Sequence, residues 1–281
     1  MNEHISIILT AHKSKDLVIN YIKNIYQKFH IIVIDNSNDI ELEKEIKTNY
    51  PNVTFDFMSN NGYGAAINCG SKFVKTKYFL VSNPDVEGIT ADSIIKFYDA
   101  AINIDDQFSM MGPVDLDHKP ERRKTGYDKI DLLETNQISG ICMFFNKKNF
   151  DAIGGFDENI FLYFEDNDIC KRLSKLNKNY QLNSVKVNHK AGTSVIPKNE
   201  SDKNKQDNLR TWHFIWSKFY YYKKHYGFFL AIIYFIPIII RINFRIVLYK
   251  YKNDKKNLIK YMTRRSGLYS SILNKKSSKR I

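Results

Sequence analysis

Ile31-Ile32-Val33-Ile34-Asp35-Asn36-Ser37 decides the fold of this 281-residue chain. Four β-branched residues in a row, stopped by three polar ones, read as a strand buried on both faces. The form recurs on either side. Ile5–Leu9 ends in Thr10-Ala11-His12, Val53–Met58 is a third run, and Tyr78–Val81 is a fourth that ends in Ser82-Asn83-Pro84-Asp85. Between these runs lie helix-compatible stretches at Asp16–Gln27, Ile40–Thr48 and Tyr63–Val74. Strand–helix alternation of this kind predicts a parallel α/β sheet. Ligands of such sheets bind beyond the carboxyl ends of the strands. Here those ends carry Thr10 and His12, Asp35 and Asn36, and Asn83 and Asp85.

Further along, Ile89–Ala101 and Asn167–Leu176 have helical spacing, while Phe108–Met111, Ile138–Phe145 and Tyr180–Asn188 read as strands. Asp115–Lys129 reads as a charged loop. Pro197–Asn208 is rich in Lys, Asn and Asp and is expected to be a linker. The expectation is therefore a catalytic domain over residues 1–200 and a basic, aromatic, helical region over residues 201–281.

Charge separates the same two parts. From Lys203 to the end there are 19 Lys/Arg and 2 Asp/Glu, a balance of +17; the remaining 24 basic and 28 acidic residues give −4. A basic tail suits nucleic acid or an anionic membrane. Phe228–Ile240, FFLAIIYFIPIII, favours the membrane, because nucleic-acid tails rarely carry so much aliphatic surface. The run falls short of the roughly 20 apolar residues needed to span a bilayer. Pro237 and Arg241 interrupt it, so an interfacial helix is expected, with a core helix as the competing reading. Cys69, Cys142 and Cys170 are odd in number and lack C-x-x-C spacing, which argues against a disulfide scaffold or thiolate zinc. No leader precedes the first strand, which points to the cytoplasmic side of a membrane.

Acidic residues among large apolar ones mark the chemistry. Gly154-Gly155-Phe156-Asp157-Glu158 is followed by Phe164-Glu165-Asp166-Asn167-Asp168. Asp166, just ahead of a helix, suits a general base that takes a proton from an acceptor hydroxyl, or an N-cap. Glu165 and Asp168 are rivals for that role or acceptor contacts. Asp85 suits a divalent cation bridging a diphosphate, or an ordinary Asn-Pro-Asp turn. Asp35 suits hydrogen bonds from a pyrimidine imide or ribose, or a loop cap. His189 suits a metal ligand or a structural histidine. Asn61-Gly62-Tyr63-Gly64, with Asn68, would let backbone approach a phosphate or sugar. This pattern matches neither the dinucleotide fingerprint nor the phosphate-loop signature.

Taken in order, these pieces resemble the inverting glycosyltransferases of family 2, with the GT-A fold: a mixed sheet flanked by helices, here with a helical membrane-associating appendage. The rhamnosyltransferase-like branch of bacterial surface polysaccharide assembly is the most similar. The resemblance rests on Ile32–Ser37, Asn60–Gly64 with Asn68-Cys69-Gly70, Asn83-Pro84-Asp85, Gly154–Glu158 with Phe164–Asp168, and His189 with Gly192 and Ser194. It implies a nucleotide-diphosphate sugar donor met by Thr10, Ala11, His12, Asp35 and Asn36 at the nucleoside. Asn61, Gly62, Gly64, Asn68 and Asn83 would line the donor. Asp85 and His189 would hold Mg²⁺ or Mn²⁺, Asp166 would be the base, and Glu165 and Asp168 would touch a lipid-linked or oligosaccharide acceptor. Asn83 stands where the family's metal motif usually has Asp. O-antigen or capsule assembly on the cytoplasmic membrane face follows as the implied setting. A nucleotidyltransferase is a weaker match, because Thr10-Ala11-His12-Lys13-Ser14-Lys15 is not a Gly-rich phosphate loop. A non-enzymatic membrane- or nucleic-acid-binding protein leaves the ordered acidic motifs unexplained.

Overall fold

The computed structural model describes residues 3–117, 131–189 and 199–280. Gly192, Ser194, Pro197 and most of the expected 115–129 loop lie outside them. The described chain divides into two compact units, residues 1–157 with 166–196, and residues 158–165 with 197–281.

The first unit is built on β1 (Ile5–Ala11), β2 (His30–Asp35), β3 (Thr54–Phe57) and β4 (Tyr78–Ser82), all parallel. It continues with β5 (Val86–Glu87), β6 (Met110–Asp115), β7 (Leu132–Glu134), β8 (Cys142–Asn146) and β9 (Asn179–His189). The strands lie in the order β3-β2-β1-β4-β8-β6-β9-β5, with β7 also on β9. β8 runs antiparallel to β4 and β6, and β5 and β7 run antiparallel to β9, so the sheet is mixed. Strand alternation sorts side chains onto two faces. Ile5, Ile7, Leu9, Ile31 and Val33 face one core layer, completed by α1 (Lys15–Ile25), α2 (Ile40–Asn49) and α4 (Ala91–Asn103). Ile8, Ile32 and Ile34 face the other, completed by α3 (Tyr63–Ser71), α5 (Lys147–Ala152) and α6 (Glu165–Leu173). Local chemistry starts these helices. Asp39 accepts the Leu42 N–H at the head of α2, and Thr90 with Ser93 forms a capping box for α4.

The second unit contains α7 (Glu200–Tyr226), α8 (Phe228–Tyr251) and α9 (Lys255–Ile272). Ile215, Phe219, Ala231, Phe235, Ile242 and Leu268 form its core. Segment 158–165 belongs here: Phe161 packs on His213 with the ring centroids 4.6 Å apart, and the Ser217 hydroxyl donates to the Leu162 carbonyl at 2.8 Å.

Three expectations need correction. The expected linker is helical from Glu200 onward, because Asn199 accepts the Asp202 N–H and Glu200 and Asp202 complement the helix N-terminus. The apolar run is not stopped at Pro237. α8 continues through it to Tyr251, and its 24 residues are long and apolar enough to cross a membrane by length and composition. Lastly, Ile138–Ile141 is not strand; pairing begins at Cys142.

Candidate active site

The carboxyl ends of β1, β2 and β4 are neighbours in the sheet, since Ala11 pairs with Asp35 and Leu9 with Ser82. β8 is antiparallel, so its first residue, Cys142, lies beside Ser82 at this same edge. The topology thus brings the loops after residues 11, 35 and 82, and the loop before 142, to one rim.

At the first strand end, Thr10 is half-buried and Ala11 is buried with its carbonyl accepting the Asn36 N–H at 3.0 Å. His12 Nδ1–H donates to Asn36 Oδ1 at 2.6 Å. Asp35 takes up loop contacts. Its residue is fully buried, the Ser37 hydroxyl donates to Oδ1 at 2.7 Å, and the Asp39 N–H donates to Oδ2 at 2.8 Å. Both oxygens therefore shape the loop that presents His12 and Asn36. The loop-cap reading is the one the geometry supports.

After β4, Asn83-Pro84-Asp85-Val86 forms a turn closed by the Val86 N–H on the Asn83 carbonyl at 3.2 Å. Val86 then pairs with His189 across β5 and β9. This pairing brings His189 Nε2 within 3.4 Å of Asp85 Oδ1, with the Asp85 side chain 2% exposed. The His189 N–H donates to Asp117 Oδ2 at 2.6 Å. The Asp85 hydrogen bond, then the negative charges of Asp85, Asp115 and Asp117, raise the His189 pKa above the ordinary imidazole value. Sequence reasoning missed Asp115 and Asp117, which spacing alone had assigned to a loop.

A second arrangement ties the Gly-Gly-Phe motif to the helices. Asn68 on α3 donates to the Phe156 carbonyl at 2.9 Å and accepts the Phe156 N–H at 2.8 Å. Gly155, at φ +71°, leaves room for this clamp: a Cβ there would lie 2.4 Å from Asn68 Oδ1. Gly64 likewise packs on Phe156, where a Cβ would come within 2.8 Å. Gly64 and Asn68 thus pack the Gly-Gly-Phe motif against α3. Gly62 is buried at the head of α3, and Asn61 is exposed. Asp168 joins the same arrangement. Its side chain is wholly buried and pairs with Arg172 at 2.7 Å, while Arg172 Nη1 donates to the carbonyls of Ile153 and Gly155. Through Arg172 it fixes the motif.

Asp166 stands at the start of α6, half-buried, and Glu165 beside it is buried. The Gly140 N–H donates to Asp166 Oδ2 at 3.3 Å, and the Asn167 N–H to Oδ1 at 2.8 Å. Adjacent Ile141 accepts the Asn83 N–H at 2.9 Å. One two-residue segment therefore carries both the loop of Asp85 and the carboxylate of Asp166.

Among the described residues no group of three His, Cys, Asp or Glu could hold an ion by itself. Asp85 and His189 supply two donors at most. That set fits a hard cation that takes its remaining ligands from phosphate oxygens, as Mg²⁺ sites commonly do.

The comparisons agree with this architecture. The model of the family described as "Glycosyl transferase family 2" matches residues 6–154, just over half of the chain. The low-salt glycan biosynthesis hexosyltransferase Agl10 of Haloferax volcanii is 25% identical over 202 residues, covering 64% of each chain. The similarity thus spans a little under two thirds of that relative's length. The rhamnosyltransferase WbbL of Escherichia coli K12 is 24% identical over 201 residues, 60% of this chain and 76% of WbbL. Among solved structures, S. aureus TarS 1–349 in complex with UDP superposes with a TM-score of 0.54 at 13% identity, over 97% of this chain and 92% of the other. At that identity the likeness is one of fold, a GT-A-like α/β sheet.

Proposed function

The chain belongs to glycosyl transferase family 2, and from that membership we propose an inverting transferase that moves a sugar from a nucleotide-diphosphate donor to a glycan hydroxyl. The observation that carries the proposal is the shared Gly140–Ile141 segment, which joins the Asn83–Asp85 loop to Asp166 at one sheet rim. His12 and Asn36 meet the nucleoside at the ends of β1 and β2. Asp85 and His189 hold the diphosphate end together with Mg²⁺ or Mn²⁺, which when bound offsets the charge of the leaving diphosphate. Asp166 accepts the proton of the acceptor hydroxyl as that oxygen attacks the anomeric carbon from the face opposite the diphosphate. The C–O bond to the sugar forms as the bond to the diphosphate breaks, and the anomeric configuration inverts. The negative surroundings of His189 favour a cation there.

For the donor we propose dTDP-rhamnose or a UDP-hexose, and for the acceptor a lipid-linked glycan of surface polysaccharide assembly. The name of the rhamnosyltransferase WbbL supports a rhamnose donor, and that of the glycan biosynthesis hexosyltransferase Agl10 supports a hexose donor. The helical unit supports peripheral binding to an anionic membrane face, in the cytoplasm. On α8, Phe229, Ile233, Ile236, Ile240, Phe244 and Val247 are exposed at three- and four-residue steps, forming one stripe. The opposite face of α8 packs on α7 and α9, as in the Phe219–Phe235 and Tyr249–Tyr261 ring pairs. α9 carries Lys255, Lys256, Lys260, Arg264 and Arg265. A crossing α8 would draw those charges toward hydrocarbon, at a cost of roughly 2.5–3.5 kcal/mol for each one carried to the bilayer centre. An α8 lying in the interface keeps them at the headgroups.

The test is Asp166→Asn, assayed against UDP-glucose, UDP-galactose and dTDP-rhamnose with Mn²⁺. Base catalysis is commonly worth 10²–10⁴-fold, so kcat should drop by at least about 10²-fold with donor affinity retained. Turnover near the native rate would remove Asp166 from the role.

A further inference from the structure

We infer that Tyr63 is a positioning residue for Asp166, acting through the backbone of Gly140; this rests on the reading of Asp166 as the base. Tyr63 opens α3, and its ring packs at the edge of the core layer under that helix. Its hydroxyl leaves that layer and donates to the Gly140 carbonyl at 2.6 Å, across 77 residues of sequence. The Gly140 N–H in turn holds Asp166 Oδ2.

Gly140 and Ile141 lie before the first paired residue of β8, so the strand ladder does not fix them. What fixes them is Tyr63 on the Gly140 carbonyl and Asn83 on the Ile141 carbonyl. Remove the Tyr63 hydroxyl and one end of the segment loses its anchor, on the side that meets the carboxylate. A base must sit within a few tenths of an ångström of its productive place, so a slack donor is felt in turnover before it is felt in folding. Gly140 is suited to the task. A Cβ there would lie 3.5 Å from Asp166 Cβ and 3.7 Å from Oδ2, ordinary contact distances that would nevertheless cover one face of the carboxylate.

The Asn-Gly-Tyr-Gly motif had pointed to the donor, and the tyrosine in it had no task. The geometry gives it one on the other side of the reaction. The charged or titratable groups around the carboxylate are Glu165 and Asp168 on the same helical turn and the buried Cys170 thiol.

Tyr63→Phe deletes one oxygen and leaves the ring in place. It should lower kcat about tenfold, the scale of one hydrogen bond, with donor KM within about twofold. Weakening a donor to the carboxylate disfavours its charged form, so the Asp166 carboxyl should titrate at higher pH, read by ¹³C NMR without any substrate. In an Asp166→Asn background the tyrosine change should have no further effect on residual turnover. An unmoved Asp166 titration in Tyr63→Phe, or equal losses from Tyr63→Phe in both backgrounds, overturns the inference. Full activity of Asp166→Asn alone would instead sink the reading of Asp166 as base.

Discussion

Acidification should loosen the helical unit through one side chain, His213. This residue is fully buried on α7. Its Nε2 lies 2.9 Å from the Lys279 carbonyl, which only accepts, so Nε2 carries the proton and Nδ1 accepts from the Ser277 hydroxyl at 2.9 Å. Burial first, and the nearby Arg280 and Lys279 charges after it, lower the His213 pKa from 6.5 to about 4. The Lys279 carbonyl opposes this shift. The unfolded chain therefore takes up a proton below pH 6.5 while the folded unit does not, and stability is lost as pH falls from about 6.5 toward 4. Each pKa unit is worth about 1.4 kcal/mol, so roughly 2.5 kcal/mol is gone at pH 4.5 relative to pH 8. The chain's two tryptophans, Trp212 and Trp216, are both buried on α7, one on each side of His213 in sequence. Urea unfolding followed by tryptophan fluorescence thus reports on this unit. The midpoint should fall between pH 8 and pH 4.5 far more in the native protein than in His213→Gln, which cannot titrate. Equal pH dependence in the two proteins refutes the argument.

Asp85→Ala should weaken nucleotide-sugar binding by calorimetry in the presence of Mn²⁺ and abolish the gain that Mn²⁺ gives; unchanged affinity would count against ligation there. Asp168→Ala leaves Arg172 charged beside a buried gap and should cost about 3–5 kcal/mol in chemical unfolding, with Asp168→Asn costing less; a loss under 1 kcal/mol would mean the pair does not hold the motif. Replacing exposed Ile233, Phe244 and Val247 of α8 together by Glu should release the protein from phosphatidylserine vesicles without lowering its melting point. Equal co-sedimentation of variant and native protein would end the interfacial reading.

The short apolar runs at Ile5–Leu9, Ile31–Ile34 and Tyr78–Val81 determined the parallel half of the sheet by themselves, because a strand buried on both faces needs no partner information to be recognised. The same holds for the rim of polar residues that ends each strand, and for the ordered motifs that pointed to the family. The tail's charge and apolar run were equally legible, although α8 reaches further than its uninterrupted apolar segment, since packing on α7 and α9 carries a helix past a proline. Which polar side chains are spent on the fold was not legible. Asp35, Asn68 and Asp168 have the residue types of a binding site, yet their hydrogen bonds go to Ser37 and Asp39, Phe156, and Arg172. A carboxylate or amide has only a few lone pairs and protons to share, and spacing along a chain does not say where they go. Tyr63 and Gly140 come together from 77 residues apart, and Asp85 and His189 meet although β5, β6, β7 and β8 lie between them along the chain. Such pairs exist only once the strands are assembled in the order β4-β8-β6-β9-β5, so tertiary structure alone decided them.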